Sequence, residues 1–235
     1  MVIIMKIAIM QPYFMPYIGY WQLMNAVDTY VVYDNIEYTK KGWFNRNRIL
    51  LNGKDYLFTI PVKKDSDYLD VCERYVADDF KKEKLLNMFS EAYRKAPYYS
   101  NIYPEIEKMV LYSDTNLFKY IYNSICVVKE LLGIETKIII SSSINIDHSL
   151  KGKDKVIAIC NELGASDYYN AIGGQSLYDK KEFKDNGIEL KFLKSELVPY
   201  KQFKNDFVAG LSIIDVMMFN SSEEIKCLLD NYTLI

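Results

Sequence analysis

Residues 3–33 read IIMKIAIMQPYFMPYIGYWQLMNAVDTYVVY, and this stretch decides the fold. A strand is predicted over residues 3–10, because its near-continuous apolar run is typical of a central strand covered on both faces. Gln11 and two prolines then interrupt regular structure, and a helix is predicted over residues 18–27 before a second strand at 29–33. A strand–helix–strand unit favours a parallel pair of strands. The opening of the chain therefore predicts an α/β fold.

The rest of the chain extends this unit. Asn52-Gly53 suits the positive φ angles of a hairpin turn and lies between predicted strands at 48–51 and 56–61. Apolar residues at helical spacing then predict helices at 79–95, 103–110 and 115–132, the last capped by Ser113 or Asp114 and stopped by Gly133. Further strands are predicted at 136–140, 167–170 and 188–193, and further helices at 153–163, 212–219 and 223–229.

These elements predict a Rossmann-like, mainly parallel sheet with a β-hairpin and a helical insertion in the middle of the chain. No Pro/Gly/Ser-rich linker separates the parts. We therefore expect a single α/β unit over residues 1–235, with an N-terminal α/β part at 1–62, the insertion at 78–133 and a C-terminal α/β part at 134–235.

Composition excludes several classes of protein. Of the 235 residues 50% are hydrophobic and 26% charged, which is typical of a globular chain, and the formal net charge is −2. A chain without a basic field is not expected to bind DNA. No apolar run reaches the roughly 18–20 residues of a membrane span, and the apolar start lacks the features of a signal peptide. We expect a cytoplasmic protein without membrane insertion.

The cysteines and the histidine do not predict a metal site. The chain has four cysteines without a CxxC pair, and its one histidine, His148, lies in a turn-like segment. Structural zinc sites need closely spaced Cys/His pairs. Cys126 and Cys160 lie in apolar helical runs, where reduced buried thiols are ordinary. His148 is interpreted as a surface loop residue.

Three stretches combine residues suited to chemistry. In the first, residues 11–20, Gln11 offers a donor and acceptors, and the rings of Tyr13 and Tyr20 can stack on a base or a sugar. It follows the first strand, and ligands of open parallel sheets sit beyond the carboxyl ends of strands. The alternative is a tight surface loop.

The second stretch, residues 34–48, follows the second strand. Asp34 is the best-placed general base, while Lys40 and Arg46 can bind a phosphate or an oxyanion. Asn45 and Asn47 would share one face of an extended segment and suit hydroxyl recognition. A solvated charged loop is the alternative.

The third stretch, residues 168–178, carries Asn170, Gly173, Gly174 and Tyr178. A short strand followed by two glycines can present backbone N–H groups to an anion such as a diphosphate. The spacing matches neither a P-loop nor GxGxxG, and a plain glycine turn is an equal alternative.

A resemblance adds to these patterns. Segments 6–20, 31–34, 42–49, 169–174, 177–179, 200–202, 211–215 and 219–221 together make the chain resemble the WbqC-like family. The resemblance implies work on a nucleotide-linked sugar in O-antigen or other surface-polysaccharide biosynthesis. It also implies an enzyme that transfers an acyl or aminoacyl group, such as glycyl, to the amino group of a sugar, with dTDP as the expected nucleotide.

Attack of an amine on a thioester requires a base and oxyanion donors. On this reading Asp34 is the base, and Lys40 or Asn45 is the donor. The expected substrate-binding residues are Gln11, Tyr13, Tyr20, Trp43, Arg46, Asn47, Asn170, Gly173, Gly174, Tyr178 and Gln202. No cofactor is expected to be tightly bound, because the donor is a co-substrate: acyl-CoA, acyl-carrier protein or aminoacyl-tRNA. A homodimer is left open.

Two other functions compete with acyl transfer. The loop after the first strand lies where nucleotidyltransferases of the HIGH type carry their motif, but Tyr17 and Tyr20 occupy the positions of the two histidines. A non-catalytic nucleotide-sugar-binding subunit would keep the ligand site without turnover.

Overall fold

A computed structural model describes residues 4–204 and 206–235. The strands are β1 (Lys6–Met10), β2 (Thr29–Val32), β3 (Arg46–Leu51), β4 (Lys54–Thr59), β5 (Lys137–Ile140), β6 (Asp167–Ala171), β7 (Glu189–Ser195) and β8 (Tyr232–Leu234). The helices are α1 (Ile18–Asn25), α2 (Lys82–Tyr93), α3 (Tyr99–Leu111), α4 (Leu117–Leu131), α5 (Gly152–Glu162), α6 (Lys180–Asp185), α7 (Ile213–Phe219) and α8 (Ser222–Leu229). The predicted α/β class is confirmed.

The main sheet has six strands in the order β5-β2-β1-β6-β7-β8. The first five are parallel, and β8 pairs antiparallel with β7. In the register, Ile7 of β1 is paired with Thr29 on one side and Tyr168 on the other. The predicted Rossmann-like, mainly parallel sheet is thus confirmed, with β1 at its centre.

Alternate residues of the central strands bury opposite faces, as the two-residue period of a strand requires. Ala8 and Tyr30 join a core that includes residues of α1 and α8. Ile7, Ile9 and Val31 join a second core with residues of α5 and α6. Helices therefore cover both faces, which explains the near-continuous apolar run of the first strand.

The hairpin and the helical insertion also form. β3 and β4 make a separate two-stranded antiparallel sheet, and Asn52 and Gly53 turn between them with φ angles of 53° and 76°. Helices α2, α3 and α4 fall inside the predicted insertion. Gly133 follows α4 with a φ of 67°. The cap of α4 was mispredicted: Asn116 Oδ1 accepts from the Lys119 N–H at 3.1 Å, while Asp114 Oδ1 binds the N–H of Asn116.

Other differences lie at element ends. The first strand begins at Lys6, and Ile3 lies outside the described residues. Helix α3 begins at Tyr99 and runs through Pro104, because burial of Ile106 and Met109 outweighs the missing N–H. Strand β8 was not predicted, since its three residues are mostly exposed and carry no period. Among the described residues, no helix combines the length and apolarity that a membrane crossing demands.

Candidate functional site

The candidate site lies where the strand order reverses. From β1 the chain goes to β2 and β5 on one side, then crosses back to β6 on the other. Open α/β sheets bind ligands outside the carboxyl ends of the strands at such a point. A cavity of about 300 Å³ lies there, the switch cavity, lined by Ile9, Met10, Gln11, Tyr13, Tyr33, Ile36, Val156, Tyr168, Asn170, Ala171, Gly173, Gly174, Leu177 and Tyr178.

Two side-chain amides give the switch cavity its polar groups. Gln11 Oε1 accepts from the Tyr13 hydroxyl at 2.9 Å, and Asn170 Oδ1 accepts from the Ala171 N–H at 2.9 Å. Within residues 4–204 and 206–235, neither amide nitrogen donates to another protein group. Asn170 is buried nonetheless. Both oxygens are thereby oriented, and both NH₂ groups can serve a ligand.

The two glycines of the third stretch differ in their steric role. A Cβ on Gly174 would lie 2.3 Å from Asn170 Nδ2, so a larger residue here would displace this amide from its present position. A Cβ on Gly173 would meet nothing within 4 Å. Gly174 therefore preserves the position of Asn170, whereas no such contact requires glycine at position 173.

A second cavity, the Trp43 pocket, has a volume of about 260 Å³. Its lining is Tyr13, Pro16, Tyr17, Trp43, Asn47, Arg48, Leu197 and Gly210. Asn47 Nδ2 donates to the carbonyls of Phe14 at 3.2 Å and Met15 at 2.7 Å, which ties the hairpin to the loop after β1. Tyr13 lines both cavities, so ligands in the two would meet across its ring.

Asp34 lies just beyond β2, at the same sheet edge. Its Oδ1 accepts from the Ser141 hydroxyl at 2.8 Å and from the Ser142 N–H at 2.9 Å. The side chain is buried and is absent from the lining of the switch cavity. Asn35 connects the same serine to His148 Nδ1, at 2.6 and 2.9 Å, so His148 belongs to this cluster rather than to a free surface loop.

The structure does not bring the three predicted catalytic residues together. Lys40 forms an exposed ion pair with Asp67 at 2.7 Å. Asn45 is buried, where it donates to the Ile60 carbonyl at 2.6 Å and accepts from the Tyr38 hydroxyl at 3.0 Å. Only Asp34 lies at the carboxyl edge of the main sheet.

The remaining predicted binding residues have supporting positions. Arg46 donates to the carbonyls of Gly42 and Lys41, which shapes the loop around Trp43. Tyr20 is buried between Tyr13, Trp21 and Tyr30 in the core. Gln202 is also buried, and its amide donates to Asp215 at 2.6 Å.

Sequence reasoning missed Lys155, which packs against Tyr33 of the switch-cavity lining. It is 1% exposed, donates to the Asn35 carbonyl at 3.3 Å and lies 4.9 Å from the centre of the Tyr33 ring. No carboxylate among the described residues lies within ion-pair distance of its ammonium, and burial lowers its pKa. The helical spacing could have revealed its burial, because Lys155 shares one face of α5 with the apolar residues Val156 and Ile159.

Lys155→Met is expected to raise the free energy of unfolding by about 1–3 kcal/mol, because it keeps an apolar chain and removes a buried charge without an ion pair. Urea denaturation at neutral pH measures the change. Lys153→Met on the same helix is the control, since that exposed ammonium pairs with Glu182 and should contribute little. A destabilised Lys155→Met protein would show that the ammonium is needed for folding.

Burial raises the pKa of the thiols that lie in the helices α4 and α5. Cys160 is buried, and desolvation raises its pKa to about 12. Burial also raises the pKa of Cys126. Thiols with raised pKa are poor nucleophiles at neutral pH. Across the described ranges no group of three or more His, Cys, Asp or Glu is arranged to hold a metal ion.

The sheet order, the insertion and the switch cavity define an α/β protein of Rossmann-like architecture with a candidate ligand site at its topological switch point. The model of the WbqC-like protein family matches residues 11–227, and the chain belongs to this family. It is 27% identical over 226 residues to an uncharacterized protein, Rv1507c, of Mycobacterium tuberculosis, covering 93% of this chain and 95% of that protein. No solved structure matches the chain.

Proposed function

We propose that this protein transfers an acyl or aminoacyl group, such as glycyl, to the amino group of a nucleotide-linked sugar, with dTDP as the nucleotide. Such a product would serve O-antigen or other surface-polysaccharide assembly. The observation that carries the proposal is the switch cavity, where the free amides of Gln11 and Asn170 face a space suited to a sugar. The substrate class is the one that the resemblance to the WbqC-like family implies, and the chain belongs to that family.

The chemistry needs few protein groups. The sugar amine attacks the carbonyl carbon of the donor's ester or thioester, a C–N bond forms, and the C–O or C–S bond breaks. The amine loses a proton to a base, for which Asp34 remains the candidate, and the leaving alcohol or thiol is released protonated. Because the amine attacks directly, no cysteine or serine nucleophile is required.

Binding of the acceptor is the first test. A dTDP-linked sugar with a 3- or 4-amino group is expected to raise the Tm by about 5–10 °C at a hundredfold excess over its Kd. Asn170→Ala and Gln11→Ala should each abolish most of the shift, because the sugar would lose an amide donor. Comparison with UDP-, GDP- and CDP-linked sugars shows which nucleotide the protein prefers. Asn101→Ala is the control variant, because Asn101 lies on the exposed surface of α3.

Two outcomes would overturn the proposal. A shift with nucleoside triphosphates alone would favour nucleotidyl transfer. Mass spectrometry can follow transfer from acyl-CoA, acyl-carrier protein or aminoacyl-tRNA. If an amino-sugar nucleotide binds and none of these donors supports transfer, a binding subunit would be favoured.

A further inference from the structure

Trp43 is partly exposed and contacts two arginines. Its side chain is 41% exposed, and the guanidinium carbons of Arg46 and Arg48 lie 5.4 and 5.6 Å from the ring centre. Arg46 is itself fixed by the carbonyls of Gly42 and Lys41. A partly exposed indole next to two cations offers a flat aromatic surface on which a ligand can stack.

The lining of the Trp43 pocket favours a flat ring with an anion over a sugar. The amide nitrogen of Asn47 is already used by two backbone carbonyls. Among the described residues, the guanidinium of Arg48 pairs with half-exposed Asp55 alone, at 3.3 Å, a weak contact that a phosphate can replace. Few polar groups thus remain for sugar hydroxyls, whereas a base can stack on the indole and a phosphate can bind the guanidinium.

The switch cavity has the opposite character. Its free amides and the open backbone at Gly173 suit hydroxyl and amino groups. Tyr13 separates the two cavities, and its hydroxyl is fixed by Gln11 Oε1. The reacting sugar and the nucleotide therefore have different places in this protein.

We infer that the Trp43 pocket binds a nucleoside phosphate, stacked on Trp43 with its phosphate on Arg48, while the sugar that reacts occupies the switch cavity. This rests on the proposed function for the identity of the sugar. The same chemistry can come from the acceptor's own nucleotide or from the adenine nucleotide of the donor, acyl-CoA. In both cases the nucleotide lies across Tyr13 from the sugar.

Fluorescence tests the pocket directly. The chain has two tryptophans, and Trp21 is fully buried with its indole N–H on the Pro16 carbonyl, so a ligand-dependent change reports on Trp43. Titration with dTDP, UDP, AMP and coenzyme A should quench this emission. A pyrimidine nucleotide as the tightest ligand assigns the acceptor, and coenzyme A or AMP assigns the donor.

Variants test whether Trp43 and Arg48 bind the nucleotide. Trp43→Ala should weaken binding of the tightest nucleotide, measured by calorimetry, by about tenfold to a hundredfold. Arg48→Lys keeps the charge, loses the planar fork and should weaken it by about tenfold. Tyr68→Ala removes another exposed aromatic ring and should change nothing. Unchanged affinity in Trp43→Ala, or no quenching by any of the four, overturns the inference.

Asn170→Ala separates this inference from the proposed function. It should weaken an amino-sugar nucleotide while leaving the free nucleotide bound as in the wild type, since the two parts occupy different cavities. If nucleotides bind through Trp43 and no amino sugar adds affinity, the proposed function fails and the pocket stands. If the tightest nucleotide binds equally well to Trp43→Ala while an amino-sugar nucleotide still loses affinity in Asn170→Ala, the pocket fails and the proposed function stands.

Discussion

Asp215→Ala is expected to lower the free energy of unfolding by about 3–5 kcal/mol, because it leaves several buried donors unpaired. The Asp215 side chain is fully buried. Its carboxylate accepts from the hydroxyls of Tyr200 at 2.6 Å and Tyr93 at 2.9 Å, and from the Gln202 amide at 2.6 Å. No cation among the described residues pairs with it, so these three bonds alone offset its desolvation.

The network explains why the loss should be large. Tyr93 lies at the end of α2, and its oxygen accepts from the Leu50 N–H of β3 at 3.0 Å. Gln202 also accepts from the Val208 N–H at 2.7 Å, which orders the loop before α7. Asp215 thus joins the hairpin, the helical insertion and the C-terminal part. Urea denaturation at neutral pH measures the loss, and exposed Glu223→Ala is the control.

The conservative variant and the pH dependence sharpen this prediction. Asp215→Asn keeps one acceptor oxygen and should lose less stability than Asp215→Ala. Burial raises the pKa of Asp215 above its usual 3.8, so the folded state favours the protonated carboxyl. The contribution of this raised pKa to the free energy of unfolding is present below pH 3.8 and is lost as the pH rises through the raised pKa. As the pH rises through this acidic window, the wild-type stability should therefore fall relative to that of Asp215→Asn. Parallel stability profiles of the two proteins would contradict this prediction.

The fold was predictable because its signals are local. The apolar run of β1 and the Asn52-Gly53 turn each determine structure within a few residues. Strand β8 escaped prediction because its pairing with β7 is imposed by distant residues, not by its own pattern. Local periodicity cannot reveal such edge strands.

The candidate site was predictable only in part. Gln11 and Asn170 are far apart in sequence and line the same cavity because β1 and β6 are neighbouring strands. The sequence spacing of the two residues does not reveal this pairing. Tyr20 and Gln202 have the chemistry of ligand groups, yet the structure places them in the core. Their partners, such as Asp215, come from other parts of the chain, and a sequence pattern does not show them.

Asp34→Asn is expected to lower the turnover of acyl transfer by about a hundredfold to ten-thousandfold while the Tm changes little. The amide keeps an oxygen for the Ser141 hydroxyl and the Ser142 N–H, so the end of β2 stays ordered. What it loses is the negative charge that would take the amine's proton. Mass spectrometry of the sugar product under single-turnover conditions, with each donor class, measures the effect.

Lys40→Ala is the matched control for this loss, because it removes a charge from the same loop at an exposed site, where the ammonium pairs with Asp67. Its turnover should stay within about twofold of the wild type, since exposed pairs contribute little. An equal loss of turnover in both variants would mean that turnover depends on the charges of the loop and not on a base at Asp34. Wild-type turnover in Asp34→Asn would remove Asp34 as the base. The next group to test would be Lys155, since burial lowers its pKa and so favours the neutral amine that can accept a proton beside Tyr33 at the cavity wall.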